Sequence, residues 1–385
     1  MTVREVFDVA VIGAGVGGSC AAIALARRGV RVALLEAGKL PHHKVCGEFL
    51  SPESRAVFQR LGVNEAVLSA QPIVVSTACI VASSRKGAGE RSLEIPLPAG
   101  ALALSRFRLD QVLWDAAKAG GVLGHQNTRV RKIEAVGDEF IIQTNTENFQ
   151  ARAVIAAVGR SATWLERGTK SEGEKTDQVR LRHFGIKTYF RGARLEPGVV
   201  ELHGWRGGYC GLTRVEDGLT DVCLLARYNV MERLPQRAPD ALWAWLLREC
   251  PSLARRLAGA EQVMPWLTTG NVAFETSQTV TNGVLRVGDA AGYIHPLTGD
   301  GMAMAARSGE LAAAVLAAQL RGGIAADDAA MIYAAAWQRE FGKRLKWAGV
   351  LQPLLMSPLL TTASVALLSH APALARAVVL NTRGL

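Results

Sequence analysis

The sequence has no run of basic residues. Its 44 Lys and Arg and 34 Asp and Glu are scattered, although they leave a formal net charge of +10. No aromatic-interleaved basic stretch is present either, so nucleic acid is not an expected partner. Anionic cofactors, acidic substrates or a lipid surface make better use of that charge. The six cysteines, Cys20, Cys46, Cys79, Cys210, Cys223 and Cys250, include no C-x-x-C pair. Such scatter argues against a disulfide framework and against a zinc site, and no metal-ligand cluster stands elsewhere. The N-terminus, Met-Thr-Val-Arg-Glu, lacks an apolar signal core, so the expected location is a reducing cytoplasm. Internal repeats and low-complexity linkers are absent.

One absence is local. Residues 347–375 contain no Asp, Glu, Lys or Arg. That length could cross a bilayer. Pro353, Pro358 and Pro372 interrupt it, and Ser, Thr and Gln are dispersed through it, so two or three short apolar helices are expected instead. They could lid a hydrophobic cavity, rest peripherally on a membrane, or simply pack on the core.

What is present is enough for a large core. Of 385 residues, 49% are hydrophobic and 20% charged, which suits two intertwined domains or one large α/β domain with a substrate-binding insert. Residues 7–12 form a short apolar run that ends in Gly13-Ala14-Gly15-Val16-Gly17-Gly18. An Ala-rich helix (19–28), a stop at Gly29, a second strand (30–35) and Glu36 follow. This is a βαβ unit. Gly13, Gly15 and Gly18 have the G-x-G-x-x-G spacing of a dinucleotide site. Gly13 allows the tight turn, Gly15 lets the backbone approach a pyrophosphate, and Gly18 lets the helix pack closely. The helix start at Val16 offers free N–H groups and the positive dipole end. Glu36 is placed to accept hydrogen bonds from ribose hydroxyls. An acid there favours an unphosphorylated ribose, and so FAD or NAD over NADP.

Residues 106–120 read as a helix, and 128–134, 139–144 and 152–158 as strands. Alternating segments near 198–202 and 220–226 suggest antiparallel strands, 240–258 a helix, and 283–287 a strand leading through a second glycine turn into a helix over 302–320. The expected fold is α/β. A doubly wound, three-layer ββα domain would span 1–70, 101–175 and 276–345. An inserted antiparallel-sheet substrate domain would span 71–100 and 176–275, and a helical tail 346–385.

Residues 288–301, Gly-Asp-Ala-Ala-Gly-Tyr-Ile-His-Pro-Leu-Thr-Gly-Asp-Gly, resemble the second flavin motif of the geranylgeranyl reductase and aromatic hydroxylase (group A flavin monooxygenase) superfamily. The resemblance covers most of the chain and selects FAD. It implies that Asp289 binds the ribityl chain and that Pro296, Gly299, Asp300 and Gly301 pass beside the isoalloxazine. The helix opening at Met302 would point its N-terminus at the ring edge that becomes negative on reduction. Arg106-Phe107-Arg108-Leu109-Asp110 resembles the family's R-x-x-[FL]-D helix start, whose arginine contacts FAD. The stretch from Lys44 through Cys46, Gly47 and Glu48 resembles the K-x-C-G-(G/E) segment of the prenyl reductases. That likeness places Cys46 beside the flavin ring and in the wall of the substrate cavity. Read by itself, Cys46 is equally a buried structural thiol. Glu48 is either a proton donor in a closed pocket or a surface acid or helix cap.

The pattern also departs from the family. Val158 stands where the hydroxylases carry an aspartate tied to pyridine-nucleotide contacts, and no second dinucleotide fingerprint appears. The halogenase W-x-W-x-I-P signature is missing; Trp205 alone matches. In the prenyl reductases' Y-x-W-x-F-P segment, Tyr209 matches and Gly211 replaces the tryptophan. Trp205 and Tyr209 are also ordinary sheet-packing residues. His295 is a proton shuttle or a backbone-bonding turn residue. No His, Cys or Tyr is marked for covalent attachment, so the flavin is expected to be non-covalent; the substrate is expected to be a hydrophobic small molecule, with Cys46, Glu48 and Tyr209 as catalytic candidates. A monooxygenase that uses O2 to hydroxylate or epoxidise an aromatic, polyketide or isoprenoid compound leads. A reductase of prenyl C=C bonds is the alternative, ahead of a halogenase or an electron-transfer flavoprotein. NAD(P)H, or a partner flavin or ferredoxin reductase, would supply electrons.

Overall fold

The computed structural model describes residues 6–82, 91–160, 183–232, 234, 236–272, 278–293 and 295–370. The expected domain boundary at 175/176 and the tail beyond 370, with Pro372, lie outside them. The chain builds two eight-stranded sheets and a small three-stranded one.

The first sheet has a parallel centre. Leu123–His125, Val32–Leu35, Val6–Ile12, Asn148–Ala156 and Val284–Arg286 lie side by side in that order. Val130–Val136 and Glu139–Thr144 run antiparallel into Asn148–Ala156. Side-chain alternation makes the layers, because successive residues of a strand point to opposite faces. Val9, Val11, Val32, Leu34 and Ile155 pack beneath the helices Val16–Ala26, Arg106–Ala119 and Gly301–Leu320. Ala10, Ile12, Ala33, Leu35 and Val154 face the other way, against Ile142, Phe149, Ile133 and Phe140 of the antiparallel strands. The result is the expected α/β domain of helix layer, parallel sheet and second β layer.

Two distant glycine turns meet because their helices cross almost in contact. A Cβ on Gly309 would lie 2.3 Å from the carbonyl oxygen of Gly17, and one on Gly17 would lie 3.1 Å from that of Ala305. Only small residues permit helices to approach this closely, so Gly301–Leu320 is laid directly across Val16–Ala26 and their N-termini share one end of the sheet.

The second sheet is ordered Glu261–Gln262, His183–Arg191, Leu219–Arg227, Gly208–Arg214, Val199–Trp205, Thr77–Ala82, Arg91–Pro96. Only the contact of Val199–Trp205 with Thr77–Ala82 is parallel along this path. Its outer face buries Phe184, Ile186, Phe190, Leu212, Val222 and Leu224 together with residues of the helices Pro239–Glu249 and Pro251–Arg256. The single helix expected over 240–258 is two, because Pro251 cannot continue the first and instead opens the second. The inner face turns toward the first domain: a Cβ on Gly185 would meet Val45 at 3.2 Å. Phe49–Leu50, Leu102–Ala103 and Ile73–Val74 form the small sheet.

The apolar tail is the end of a 30-residue helix, Ala326–Leu355, followed by Pro358–Ser369. Val365 and Leu368 pack on Ile80, Ala82, Leu93 and Ile95 of the two last strands of the second sheet. Among the described residues no helix is long and apolar enough to cross a membrane.

Candidate active site

The N-terminal turn has the geometry its glycines require. Gly13 has φ +99°, and a Cβ there would lie 2.5 Å from the Ala157 carbonyl oxygen. A Cβ on Gly18 would lie 1.8 Å from the Gly13 oxygen, so this glycine closes the turn on itself as well as easing helix packing. Gly15 differs. Its missing side chain faces only the flexible tips of Arg106, at 3.4 Å, and Lys44, at 3.5 Å. The helix it begins, Val16–Ala26, has no side-chain cap, so its first N–H groups and positive dipole end remain available to an anion. Glu36 is buried, and its two oxygens accept the Ala14 N–H at 2.8 Å and the Gly38 N–H at 3.0 Å. It fastens the glycine turn to the tip of the second strand. A carboxylate offers about four acceptor positions, so capacity for a ribose remains.

Three cations surround this turn. Arg106 grips Asp110 with two hydrogen bonds of 2.8 Å, and Lys44 lies 3.5 Å from the same carboxylate. Arg160 donates to the Thr269 hydroxyl at 2.7 Å and sits 5.6 Å from the ring centre of Tyr293. Burial raises the pKa of Asp289, opposed by the positive charges of Arg160, Arg106 and Lys44. Gly15, Lys44, Arg106 and Asp289, separated by up to 274 positions in sequence, therefore share one electropositive recess.

At the second motif the helix Gly301–Leu320 also begins without a side-chain cap, after the buried Asp300. Gly288 has φ +61° and donates its N–H to the Ser308 hydroxyl at 2.8 Å, pinning the motif to its helix. Around Gly301 and Gly47 an added Cβ would meet nothing within 4 Å. Gly299, with φ +68°, is needed for another reason: Phe49 would lie 2.6 Å from its Cβ. Pro296 opens a short 3-10 turn and Met302 is buried in the following helix. These features fit FAD: uncapped helix starts for the diphosphate and the ring edge, cations beside Gly15, an acid at each end, and free space at Gly47 and Gly301. Bound there, FAD would supply the redox chemistry, and the chain's own residues would hold, orient and shield it.

Cys46 and Glu48 lie where the two domains touch. Cys46 is partly exposed and unbonded to other cysteines; burial raises its pKa despite Arg106 and Lys187, so it is a thiol at neutral pH. Glu48 is fully buried, at φ +52°. It caps the helix Arg106–Ala119 by accepting the Arg106 N–H at 2.7 Å, and it accepts the Tyr189 hydroxyl at 2.7 Å. The Lys187 ammonium is in direct contact with the same carboxylate and lies 3.3 Å from Asp221. Glu48 is thus a helix cap, and a sealed one, held away from the surface. Tyr209 is buried in the second sheet, its ring 5.7 Å from that of His295, and burial raises its pKa strongly. Burial and His183 push His295 down to about 3, so it is neutral across the physiological range.

Lys187, Tyr189 and Asp221 were not singled out in the sequence. Their signal was a lysine alternating with apolar neighbours in Phe184-Gly185-Ile186-Lys187-Thr188-Tyr189-Phe190. Such a strand, buried on both faces, must enclose the lysine's charge.

A model of the FAD binding domain family matches residues 6–336. The chain belongs to that family. The family is one of FAD-dependent oxidoreductases, and the curated relatives of this member include reductases, monooxygenases and halogenases. A digeranylgeranylglycerophospholipid reductase of Methanopyrus kandleri is 27% identical over 361 residues, 89% of this chain and 85% of the relative. A squalene monooxygenase of Eremothecium gossypii is 24% identical, covering 78% of this chain and 67% of its own. A flavin-dependent halogenase of Armillaria mellea is 23% identical over 82% of this chain. The chain spans 65% of that halogenase's length and 64% of that of another relative, conditioned medium factor receptor 1 of Dictyostelium discoideum. In fold, a flavin-dependent brominase superposes with a TM-score of 0.81 at 17% identity, over 99% of this chain and 94% of that one.

Proposed function

We propose that this FAD-dependent oxidoreductase is a monooxygenase that hydroxylates or epoxidises a hydrophobic small molecule held between the flavin and the inner face of the second sheet. The carrying observation is the composition of that face. Leu202, Gly211, Cys223 and Lys187 stand in one row across four paired strands. The row's single charge, Lys187, is already matched by Glu48 and Asp221. A charged substrate would find no free partner on this row, and an unpaired buried charge costs several kcal/mol. At Gly211 an added Cβ would touch only Leu202 and the Cys223 carbonyl, at 3.7 and 3.6 Å, so the row is low where the related reductases carry a tryptophan. A ring fits such a depression. The electrons would come from NAD(P)H or from a partner reductase. Val158 in place of an acid favours slow direct reduction by the free nicotinamide.

A second reading has its own observation. Cys46 stays protonated beside the buried Glu48, which suits proton donation to a substrate carbon, as saturation of a prenyl C=C bond requires. One experiment separates the two. The flavin is reduced anaerobically and mixed with phenolic lipids, aromatic polyketides or prenyl lipids, with and without O2. Oxygenated product that appears only with O2 supports the monooxygenase; saturated product formed without O2 replaces it with the reductase. Gly211→Trp should slow turnover and leave FAD content unchanged. Full activity in that variant would place the substrate elsewhere.

A further inference from the structure

We propose that Glu48, Lys187 and Asp221 form a buried proton store in which two carboxyls share one ammonium and Asp221 carries the exchangeable proton. The inference rests on the oxidoreductase reading above and holds for either of its branches.

The three side chains are 0–1% exposed. Charge counting comes first. With both acids ionised, the group would bury one uncompensated negative charge. Its surroundings offer little relief. On the loop at 43–48, Cys46 stays a thiol, and His43 packs on Phe107 and edge-on to Tyr189, kept neutral first by burial and then by Lys187. On the helix Arg106–Ala119, the Arg106 guanidinium holds Asp110 and also reaches Cys46, and to Glu48 it gives its backbone N–H. Beyond that helix start, Glu216 is engaged by Ser105 and Arg108. On the strands, Tyr189 and Cys223 are neutral groups whose pKa values burial raises further. A retained proton is the economical way to balance the set.

Hydrogen bonding decides where that proton sits. Glu48 accepts from the Arg106 N–H and the Tyr189 hydroxyl and touches the Lys187 ammonium. Burial raises the Glu48 pKa too, and these bonds to its charged form oppose that rise. Asp221 accepts no such N–H or hydroxyl among the described residues; its polar contact is the Lys187 ammonium at 3.3 Å, which Lys187 divides with Glu48. A buried carboxyl in that condition keeps its proton, and burial raises its pKa well above the ordinary range.

Position gives the store its use. Lys187 and Cys223 face each other across the strand pair in the row that runs on through Gly211 to Leu202; Asp221 and Tyr189 form the next row on the same face. Rows on one face are about 7 Å apart, so the proton lies one step from the proposed substrate floor. Either chemistry consumes protons. Oxygen insertion uses O2, a pair of electrons and a pair of protons, and releases water; C=C saturation adds a pair of electrons and a pair of protons. A hydride donor brings both electrons with one proton's worth of hydrogen, so a further proton is needed each turnover. The O–H bond of Asp221 breaks as that proton passes to the substrate site, where it forms an O–H bond of the water released in oxygen insertion, or the C–H bond at the carbon that does not receive hydride in C=C saturation. The carboxylate formed is held by Lys187, and solvent restores the proton when product departs. Lys187 and Glu48 are positioning residues in this scheme.

The test uses FAD-loaded protein. Infrared spectroscopy at neutral pH should show a protonated carboxyl C=O band in the wild type that disappears in Asp221→Asn and persists in Glu48→Gln. No such band in the wild type, or loss only in Glu48→Gln, overturns the assignment. Should Asp221→Asn fail to fold, the band in wild type and Glu48→Gln still decides. In turnover, Asp221→Asn should lower kcat by about 10²-fold or more with KM nearly unchanged, and its pH profile should lose one ionisation. An unchanged kcat and pH profile would overturn the catalytic use. If the band behaves as expected while no hydrophobic substrate turns over, the reading of function fails and the proton store stands.

Discussion

The recess at the glycine turn and the clasp between the domains both gather oppositely charged side chains, and they hold them differently. At the turn, Lys44 is about a third exposed and reaches its carboxylate only at 3.5 Å, and Arg106 points its tip over Gly15. At the clasp, Glu48, Lys187 and Asp221 are sealed. Of these cations Lys44 is the reachable and loosely engaged one; Arg106, held on Asp110 by two bonds of 2.8 Å, is fixed in place with its tip toward the turn. Charges whose work is internal are better shut away from water, where each interaction is stronger and each missing partner dearer. The first arrangement should therefore respond to mutation through cofactor affinity, and the second through folding and proton handling.

The largest expected effect is on the open side. Gly15→Trp would fill the space between the turn and the tips of Arg106 and Lys44, where the diphosphate must lie. The purified variant should be folded and colourless, with no FAD released by acid. A yellow Gly15→Trp protein would place the dinucleotide elsewhere and dissolve the contrast.

Next comes the sealed side. Lys187→Met leaves two carboxyls facing each other without their cation. Removing one partner from a buried ion cluster costs about 3–5 kcal/mol, read as a lowered urea midpoint by circular dichroism. Lys187→Met combined with Asp221→Asn should recover part of that loss. A single variant that unfolds within about 1 kcal/mol of wild type would mean that the clasp is not a closed electrostatic unit.

The two regions also differed in what their sequences disclosed. The turn is local: Gly13, Gly15 and Gly18 lie within one βαβ unit, so spacing alone dictates where their backbones go. The same is true of Gly288 to Gly301, and the helix start at Arg106 appears at its expected residue. The clasp is non-local. Lys187 and Asp221 meet only because His183–Arg191 and Leu219–Arg227 pair with Tyr189 opposite Asp221. Register between strands more than thirty residues apart depends on both sheets' packing, which no spacing rule supplies. Strand ends show the same limit on a small scale: 152–158 was expected where Asn148–Ala156 forms, because the partner strand decides where pairing begins.

Within the recess, Asp289 should matter more than its neighbours, as the acid of the second motif. Asp289→Ala removes a hydrogen bond worth about 1–3 kcal/mol if it is buried in the complex. The FAD Kd should rise by about one to two powers of ten in a fluorescence titration, with the urea midpoint of the apoprotein nearly unchanged. An unchanged Kd would show that the ribityl chain runs elsewhere, and a large stability loss would make Asp289 a structural acid like those of the clasp.

Arg160 tests the boundary between the two regions, and the smallest effect is expected there. It follows directly on Val158 and Gly159 in the first domain, yet its hydrogen bond goes to Thr269 of Leu267–Val272, the strand that pairs with His183–Arg191 of the second sheet. Its charge faces Asp289, and its guanidinium lies near the Tyr293 ring. If it belongs to the recess, Arg160→Gln removes a reachable cation, a change of about 0.5–1 kcal/mol for a partly exposed pair. The FAD Kd then rises a few-fold, and the difference from wild type shrinks as salt screens the cation. If it belongs to the clasp, FAD affinity stays the same and the loss appears in the urea midpoint, because the bond to Thr269 joins the domains. Measuring both quantities on one variant at low and high salt assigns the residue. A few-fold, salt-sensitive change in Kd with an unaltered midpoint would extend the open recess to the edge of the second sheet.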